Sequence, residues 1–244
     1  MLSVSIITPC SRPDNLHQLK PTIPEHCEWI IVVDGASSEV IPREIRELPN
    51  VQIYHVEGGL EGSTQRNLAL RKARGQYVYF LDDDNIIHPR YFEEIMPLLD
   101  GRRVIVVNQT WADGERHVVA SPPVRVGSVD TGQVILPLDL AREFEWRTNV
   151  KHADGDYFGR IWAKYSDRFV FVHKDLTYYN YLSPRPVRSP DAPSVSPLTD
   201  PILRPVAWML KTSPDGIAVR ELQYIEQIVQ AELLRRAGDG APTL

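Results

Sequence analysis

The stretch that most limits what this chain can fold into is Tyr77-Val78-Tyr79-Phe80-Leu81, which runs directly into Asp82-Asp83-Asp84-Asn85. A row of β-branched and aromatic residues suits a strand on a buried pleated surface. Three carboxylates cannot stay buried without partners. The strand therefore ends near Leu81 and delivers its aspartates to an exposed edge. Two arrangements satisfy the charges there. A hard divalent cation, Mn²⁺ or Mg²⁺, can sit among the oxygens and in turn hold phosphate. Alternatively, the acids form a solvated turn that opens the next helix, with an Asp at its N-cap.

The preceding residues supply more strands. Val4 to Thr8 alternates and stops at Pro9, Trp29 to Val33 is continuously apolar, and Val51 to Val56 follows, closed by Gly58-Gly59. A continuous apolar strand fits a sheet covered on both faces. Helices are expected over Asn15 to Ile23, over Ser63 to Arg74 with Gly75 as its stop, and over Pro89 to Leu99. Strands alternating with helices imply βαβ units and parallel pairing. Ligands of open parallel sheets bind outside the carboxyl ends of the strands. Three such ends carry polar residues: Thr8-Pro9 with Arg12, Asp34-Gly35, and the aspartate triplet. If these strands are neighbours, all three sets meet at one edge.

The second half reads differently. A strand over Arg103 to Asn108 leads to a hairpin over Gln109 to Val119, turning at Asp113-Gly114. Val134 to Leu136, Phe169 to Val172 and Leu176 to Tyr181 are further strands, and a helix runs from about Asp154 to Tyr165. Pro184, Pro186, Pro190, Pro193, Pro197, Pro201 and Pro205 then exclude regular structure and point to an extended loop or lid. An amphipathic helix is expected over Gly216 to Arg236, packing on its own core or on a second subunit as a homodimer contact.

Composition removes several classes. The 244 residues carry a formal net charge of -5, so no basic footprint for nucleic acid or anionic membrane exists. Two cysteines make neither a disulfide framework nor a zinc site. No apolar run approaches the roughly 20 residues of a membrane span, and no signal-peptide pattern opens the chain. A cytoplasmic protein is expected.

The run Arg66-Asn67-Leu68-Ala69-Leu70, then Gly75, the strand to Leu81 and the aspartates, resembles the nucleotide-sugar region of family 2 glycosyltransferases. Val4 to Pro9 with Arg12-Pro13, and Val32-Val33-Asp34-Gly35, are similar to that family's two earlier strand ends. Gln65 to Arg71 and the Asp-Asp-Asp-Asn group also resemble family 43 glucuronyltransferases. The resemblance spans roughly residues 3 to 182. It implies a GT-A-like α/β fold, a Rossmann-like mixed sheet flanked by helices. The nucleotide-sugar half would cover 1–108, the acceptor half 109–182, and a Pro-rich extension with a terminal helix 183–244.

The resemblance further implies an inverting transfer from a nucleoside-diphosphate sugar, UDP by preference, to a hydroxyl on a glycan or small molecule, with Mn²⁺ or Mg²⁺. Thr8, Pro9, Arg12, Asp34, Gly35 and Gln65 would meet the nucleotide. Arg66 would meet the diphosphate or brace the aspartates. Asp82 and Asp83 would face the ribose and metal-bound waters, and Asp84 would ligate the metal. A general base must come from the second half. The family shows Glu-Asp at a helix start with an Arg six residues on, which Asp154 and Arg160 reproduce, although Ala153 replaces the Glu; Asp156 is the alternative. Family members often carry a metal-side His after a Tyr-rich strand, and that position falls near Leu182. Weak metal retention is expected from this. Trp111, Asp130 and Trp162 are expected on the acceptor side, with Asp130-Thr131-Gly132 equally readable as a turn. A sugar nucleotidylyltransferase would want a Gly-rich loop after the first strand, where Pro9-Cys10-Ser11-Arg12-Pro13 stands. A domain that binds nucleotide or glycan without turnover is the other rival.

Overall fold

The computed structural model describes residues 3–35, 41–57, 62–111 and 117–182. The expected Gly58-Gly59 closure, the Asp113-Gly114 turn, the Pro-rich stretch and the terminal helix lie outside the described residues. The strands are β1 (Val4–Cys10), β2 (Glu28–Asp34), β3 (Val51–Val56), β4 (Tyr77–Phe80), β5 (Ile86–Ile87), β6 (Val104–Trp111), β7 (His117–Val118), β8 (Val134–Pro137) and β9 (Phe169–Tyr179). Helices α1 (Leu16–Leu19), α2 (Arg43–Arg46), α3 (Ser63–Lys72), α4 (Tyr91–Ile95), α5 (Leu138–Arg142) and α6 (Ala153–Tyr165) connect them.

Among the described residues the strands form one sheet, ordered β3-β2-β1-β4-β8-β6-β9-β5, with β7 on β6. The first four are mutually parallel, and β8 then runs antiparallel to both β4 and β6. Alternation sends Ile6, Ile31, Tyr79 and Ile105 into one core and Ile7, Ile30, Phe80 and Val106 into the other. The sheet is covered on both faces, which is why Trp29 to Val33 carries no polar residue.

β1 lies between β2 and β4, so the carboxyl ends of all three share one edge. β1 does not stop at Pro9 but runs on to Cys10. Ile7 faces β4, since its carbonyl accepts from the Leu81 N–H. Pro9, two residues on, faces the same side, where β4 has already ended. Its missing N–H therefore costs no ladder bond.

Three other expectations change. The aspartates do not cap a helix: a turn closes with Asn85 N–H on the Asp82 carbonyl, and β5 follows, pairing antiparallel with β9. The helix opens only at Tyr91. The two strands expected after α6 are one, β9, parallel to β6 with a register irregularity where Val107↔Val172 gives way to Asn108↔Asp175. Gly75 is not a left-handed helix stop. A Cβ there would lie 2.6 Å from the Ser5 nitrogen, so the glycine lets the chain enter β4 pressed against β1.

Candidate active site

At that shared edge lies an open cavity of about 390 Å³. The end of β1 contributes Pro9, Ser11 and Arg12, and the start of α3 contributes Gly62 and Arg66. The triplet, Asp130, Tyr179 and Asn180 complete the lining.

The three aspartates have separate partners. Asp83, only 1% exposed, is saturated by the β1 end. Its Oδ2 accepts from the Ser11 and Arg12 N–H groups, each at 2.6 Å, and its Oδ1 from Arg12 Nε at 2.8 Å and from Arg12 Nη2. Asp83 therefore locks the loop to the triplet, with both carboxyl oxygens engaged. Asp82 Oδ1 pairs with Arg66 Nη2 at 2.5 Å, and Oδ2 accepts from Thr131 Oγ1 at 2.9 Å. Asp84 Oδ2 pairs with Arg12 Nη1 at 2.8 Å. Burial pushes the Asp84 carboxyl up to about 6, outweighing Arg12, while Asp82 and Asp83 add to the rise.

Arg66 is held from below. Its guanidinium stands 4.7 Å over the Trp146 ring, which stacks on Tyr157 at 4.1 Å. Asn67 fixes Trp146 by exchanging two 2.8 Å hydrogen bonds with its backbone. The Arg-Asn pair thus works as a unit: the asparagine clamps the indole, the indole carries the arginine, and the arginine orients Asp82.

Asp154 and Asp156 both lie in the first turn of α6, but their surroundings differ. Asp156 is tied to Arg147 at 3.2 Å and to Arg160 at 3.0 Å. Asp154 accepts from the Gly155 N–H at 2.8 Å. Burial holds its carboxyl above the usual range, opposed by Gly155 and Arg66 and assisted by Asp82. The Arg66 and Asp82 charges both reach it, so Asp154 belongs to the same electrostatic neighbourhood as the cavity.

Several expected residues stand elsewhere. Thr8 is fully buried and its hydroxyl accepts from Trp29 Nε1 at 3.0 Å. It shares the core-facing side of β1 with Ile6 and does not line the cavity. Gln65 is buried as well and does not line the cavity. Asp34, exposed, and Gly35, at φ +120°, mark the end of β2 on the shared edge, outside the cavity lining. Trp162 packs on Phe169 and Phe171 between α6 and the sheet. Trp111 packs on Tyr179 at 4.9 Å. Asp130 is both cavity wall and turn, accepting from the Gly132 N–H in a capping box with Gln133. Leu182 lies beside Asp84, its N–H donating to the Asp84 carbonyl at 3.0 Å, and its side chain is buried and apolar.

Sequence reasoning missed Tyr179 and Asn180. The signal for Asn180 was its place at the end of a Tyr-rich strand, where asparagine tolerates the left-handed φ of +49° that turns it into the cavity.

The model of the family described as Glycosyl transferase family 2 matches residues 14–160. The chain belongs to glycosyl transferase family 2. It is a glycosyltransferase by that membership. No curated protein is significantly similar to it in sequence. Among solved structures, S. aureus TarS 1-349 in complex with UDP-GlcNAc superimposes with a TM-score of 0.55 at 16% identity, covering 96% of this chain and 73% of that one. A mannosyltransferase from Pyrobaculum calidifontis in complex with GDP-Man and Mn²⁺ gives 0.55 at 15% identity, covering 99% and 76%. Glucosyl-3-phosphoglycerate synthase from Mycobacterium tuberculosis with Mn²⁺ and UDP gives 0.51 at 16% identity, covering 76% and 73%. At these identities the likeness concerns the fold, which is the GT-A mixed α/β arrangement. No helix among the described residues is long and apolar enough to cross a membrane.

Proposed function

We propose that this family 2 member is an inverting glycosyltransferase that moves a sugar from a nucleoside-diphosphate donor, UDP by preference, to an acceptor hydroxyl. The observation that carries the reading is the Arg66–Asp82 pair, whose charges both act on Asp154. The electrostatic link between that pair at the strand ends and the Asp154 carboxylate supports a base acting beside the cavity. Asp154 takes the proton of the acceptor hydroxyl as its oxygen attacks the anomeric carbon. The bond to the diphosphate oxygen breaks on the opposite side, and the nucleoside diphosphate departs with the electron pair. Arg12 and Arg66 supply fixed positive charge beside that departure. Asp156, held by two arginines, sets the entry of α6 rather than acting as base.

The donor set fits a divalent cation of a particular kind. Both oxygens of Asp82 and of Asp83 are engaged, which leaves Asp84 as the carboxylate to offer. Among the described residues no three metal-binding side chains gather into a cage. One carboxylate plus substrate phosphate is an arrangement that Mg²⁺ and Mn²⁺ accept. Bound there, the ion would neutralise charge on the departing diphosphate.

The test is a thermal-shift and binding panel of UDP, GDP and their sugars, with and without Mn²⁺. Metal-dependent nucleotide binding, lost in Asp84→Ala, is expected. Absence of nucleotide binding of any kind would sink the reading. Leu182 in the place of a ligand favours one rival, a domain that binds without turnover. Binding with neither transfer nor slow donor hydrolysis would establish that rival instead.

A further inference from the structure

Asp130 lines the cavity beside Asp82, whose Oδ2 accepts from the neighbouring Thr131 hydroxyl, and its surroundings are unusually dedicated. Its Oδ1 accepts from the Gly132 N–H at 2.9 Å, from Gln109 Nε2 at 3.0 Å and from Asn85 Nδ2 at 3.4 Å. Its own N–H donates to Gln133 Oε1 at 2.9 Å, and Gln133 is pinned in turn to the carbonyls of Val107 and Val118. Tyr79 donates its hydroxyl to the Gly132 carbonyl at 2.7 Å. A Cβ at Gly132 would fall 2.9 Å from Gln109 Nε2, so the glycine leaves room for the amide to close on Asp130. Gln109 is fully buried, and its Oε1 finds no hydrogen-bond partner among the described residues. The amide is committed to Asp130 at the cost of an orphaned carbonyl.

Among the described residues, all the donors to this carboxylate are neutral amides, and no arginine or lysine pairs with it. The carboxylates of Asp82 and Asp154 are the like charges that act on it, one from the triplet and one from α6. A phosphate has no reason to approach a third negative group in that company. A neutral polyol does, since its hydroxyls donate to carboxylates. Tyr179 lines the same wall, its ring braced by Trp111, and an aromatic face beside a carboxylate suits a pyranose. On the reading above, the transferred sugar is the group that must lie between the diphosphate, at the triplet, and the base, on α6. Both of those carboxylates act on Asp130, which therefore stands within electrostatic reach of each.

We propose that Asp130 accepts a hydrogen bond from a hydroxyl of the sugar being transferred and thereby selects among donors. This inference rests on the glycosyltransferase reading. Burial and Asp82 push the carboxyl up to about 7, and perturbed groups in clefts gather at functional sites.

The experiment compares UDP with a panel of UDP-sugars, by calorimetry with Mn²⁺ present, on the wild-type chain and Asp130→Asn. The variant keeps an oxygen for the Gly132 N–H. Affinity for the preferred UDP-sugar should fall about 10-fold to 100-fold, the loss of one charged hydrogen bond, while affinity for UDP stays unchanged. Donors deoxygenated at single positions give the second measurement. One of them should bind the wild type as weakly as the intact donor binds the variant, and should lose nothing further in the variant. If every deoxy donor binds the wild type as tightly as the intact one, the proposal is overturned even where the variant fails to fold. Equal losses of UDP and UDP-sugar in the variant overturn it as well. A wild type that binds no nucleotide refutes the functional reading and this inference with it; a wild type that binds UDP-sugar, matched by the variant, refutes this inference alone.

Discussion

Arg12 Nη1 stands 2.8 Å from Asp84 Oδ2 while Nε of the same guanidinium donates to Asp83 Oδ1 at 2.8 Å. One cation therefore neutralises two adjacent carboxylates, one of them almost wholly buried. Removing it leaves Asp83 with backbone donors and the Ser11 hydroxyl but no counter-charge. Breaking a buried pair from one side costs about 3–5 kcal/mol. Partial access at Arg12 places Arg12→Ala at about 3 kcal/mol, read by urea denaturation. Arg12→Lys should recover less than half of that, since a single ammonium cannot bridge both carboxylates. A loss below about 0.5 kcal/mol in Arg12→Ala, the usual range of surface substitutions, would show that the pair contributes nothing.

Gly75→Ala should lower stability by about 1–3 kcal/mol, the ordinary cost of overpacking. The added methyl would stand 2.6 Å from the Ser5 nitrogen and 2.9 Å from the Tyr77 carbonyl oxygen. Both neighbours are backbone, so no side-chain rotation relieves the contact. Because β1 and β4 carry the two halves of the site, nucleotide affinity should fall along with the melting temperature. An unchanged melting temperature would mean that the β1–β4 entry is far more pliable than its geometry indicates.

What could be read in the sequence follows from how local the cause was. Trp29 to Val33 and Tyr77 to Leu81 announce buried strands because a continuous apolar run tolerates no solvated face, and the edge that receives the aspartates follows from them. β5 could not be read this way. A helix N-cap is one of the two arrangements open to the aspartates, and the pairing of Ile86 and Ile87 with Tyr178 and Thr177 decides against it. The two expected strands leave His173, Lys174 and Asp175 unassigned, yet these residues lie within β9 as it passes its irregular register beside β6. Thr8 lies inside β1, which runs two residues past it to Cys10, and the strand's alternation puts Thr8 with Ile6 in the core. The separate duties of Asp82, Asp83 and Asp84 depend on Arg66 and Arg12, which arrive from other elements. No pattern within the triplet encodes which arginine takes which carboxylate.

Asp154→Asn should reduce kcat by about 100-fold or more, the range lost with a general base. Asp156→Asn should leave kcat within a few-fold and cost about 1 kcal/mol of stability, since it frees Arg147 and Arg160. The working form of Asp154 is the carboxylate. Burial raises its pKa, with Arg66, Gly155 and His152 opposing and Asp82 assisting. Activity should therefore fall as pH drops, on a limb above the ordinary carboxylate range, and this limb should vanish from the residual activity of Asp154→Asn. Reversed effects of the two substitutions on kcat would move the base to Asp156.

Asp130 should make the folded protein less stable as pH rises. Burial first, then Asp82 and Asp154, push its carboxyl up to about 7, against the opposing amide of Gln109 and the Gly132 N–H. The unfolded chain returns it to about 4. A folded-state pKa raised in this way contributes stability that is complete below about 4 and is lost as pH climbs through about 7. Asn85 and Gln109 carry no charge to offset the loss. Asp130→Asn keeps the turn acceptor and has no proton to lose. At pH 8 it should exceed the wild type by up to about 4 kcal/mol, and the two should converge toward pH 4. Urea denaturation at both pH values reads the difference directly. A variant less stable than the wild type at pH 8 would mean that the ionised carboxylate is compensated in the fold, and that holding it in the cavity carries no energetic cost.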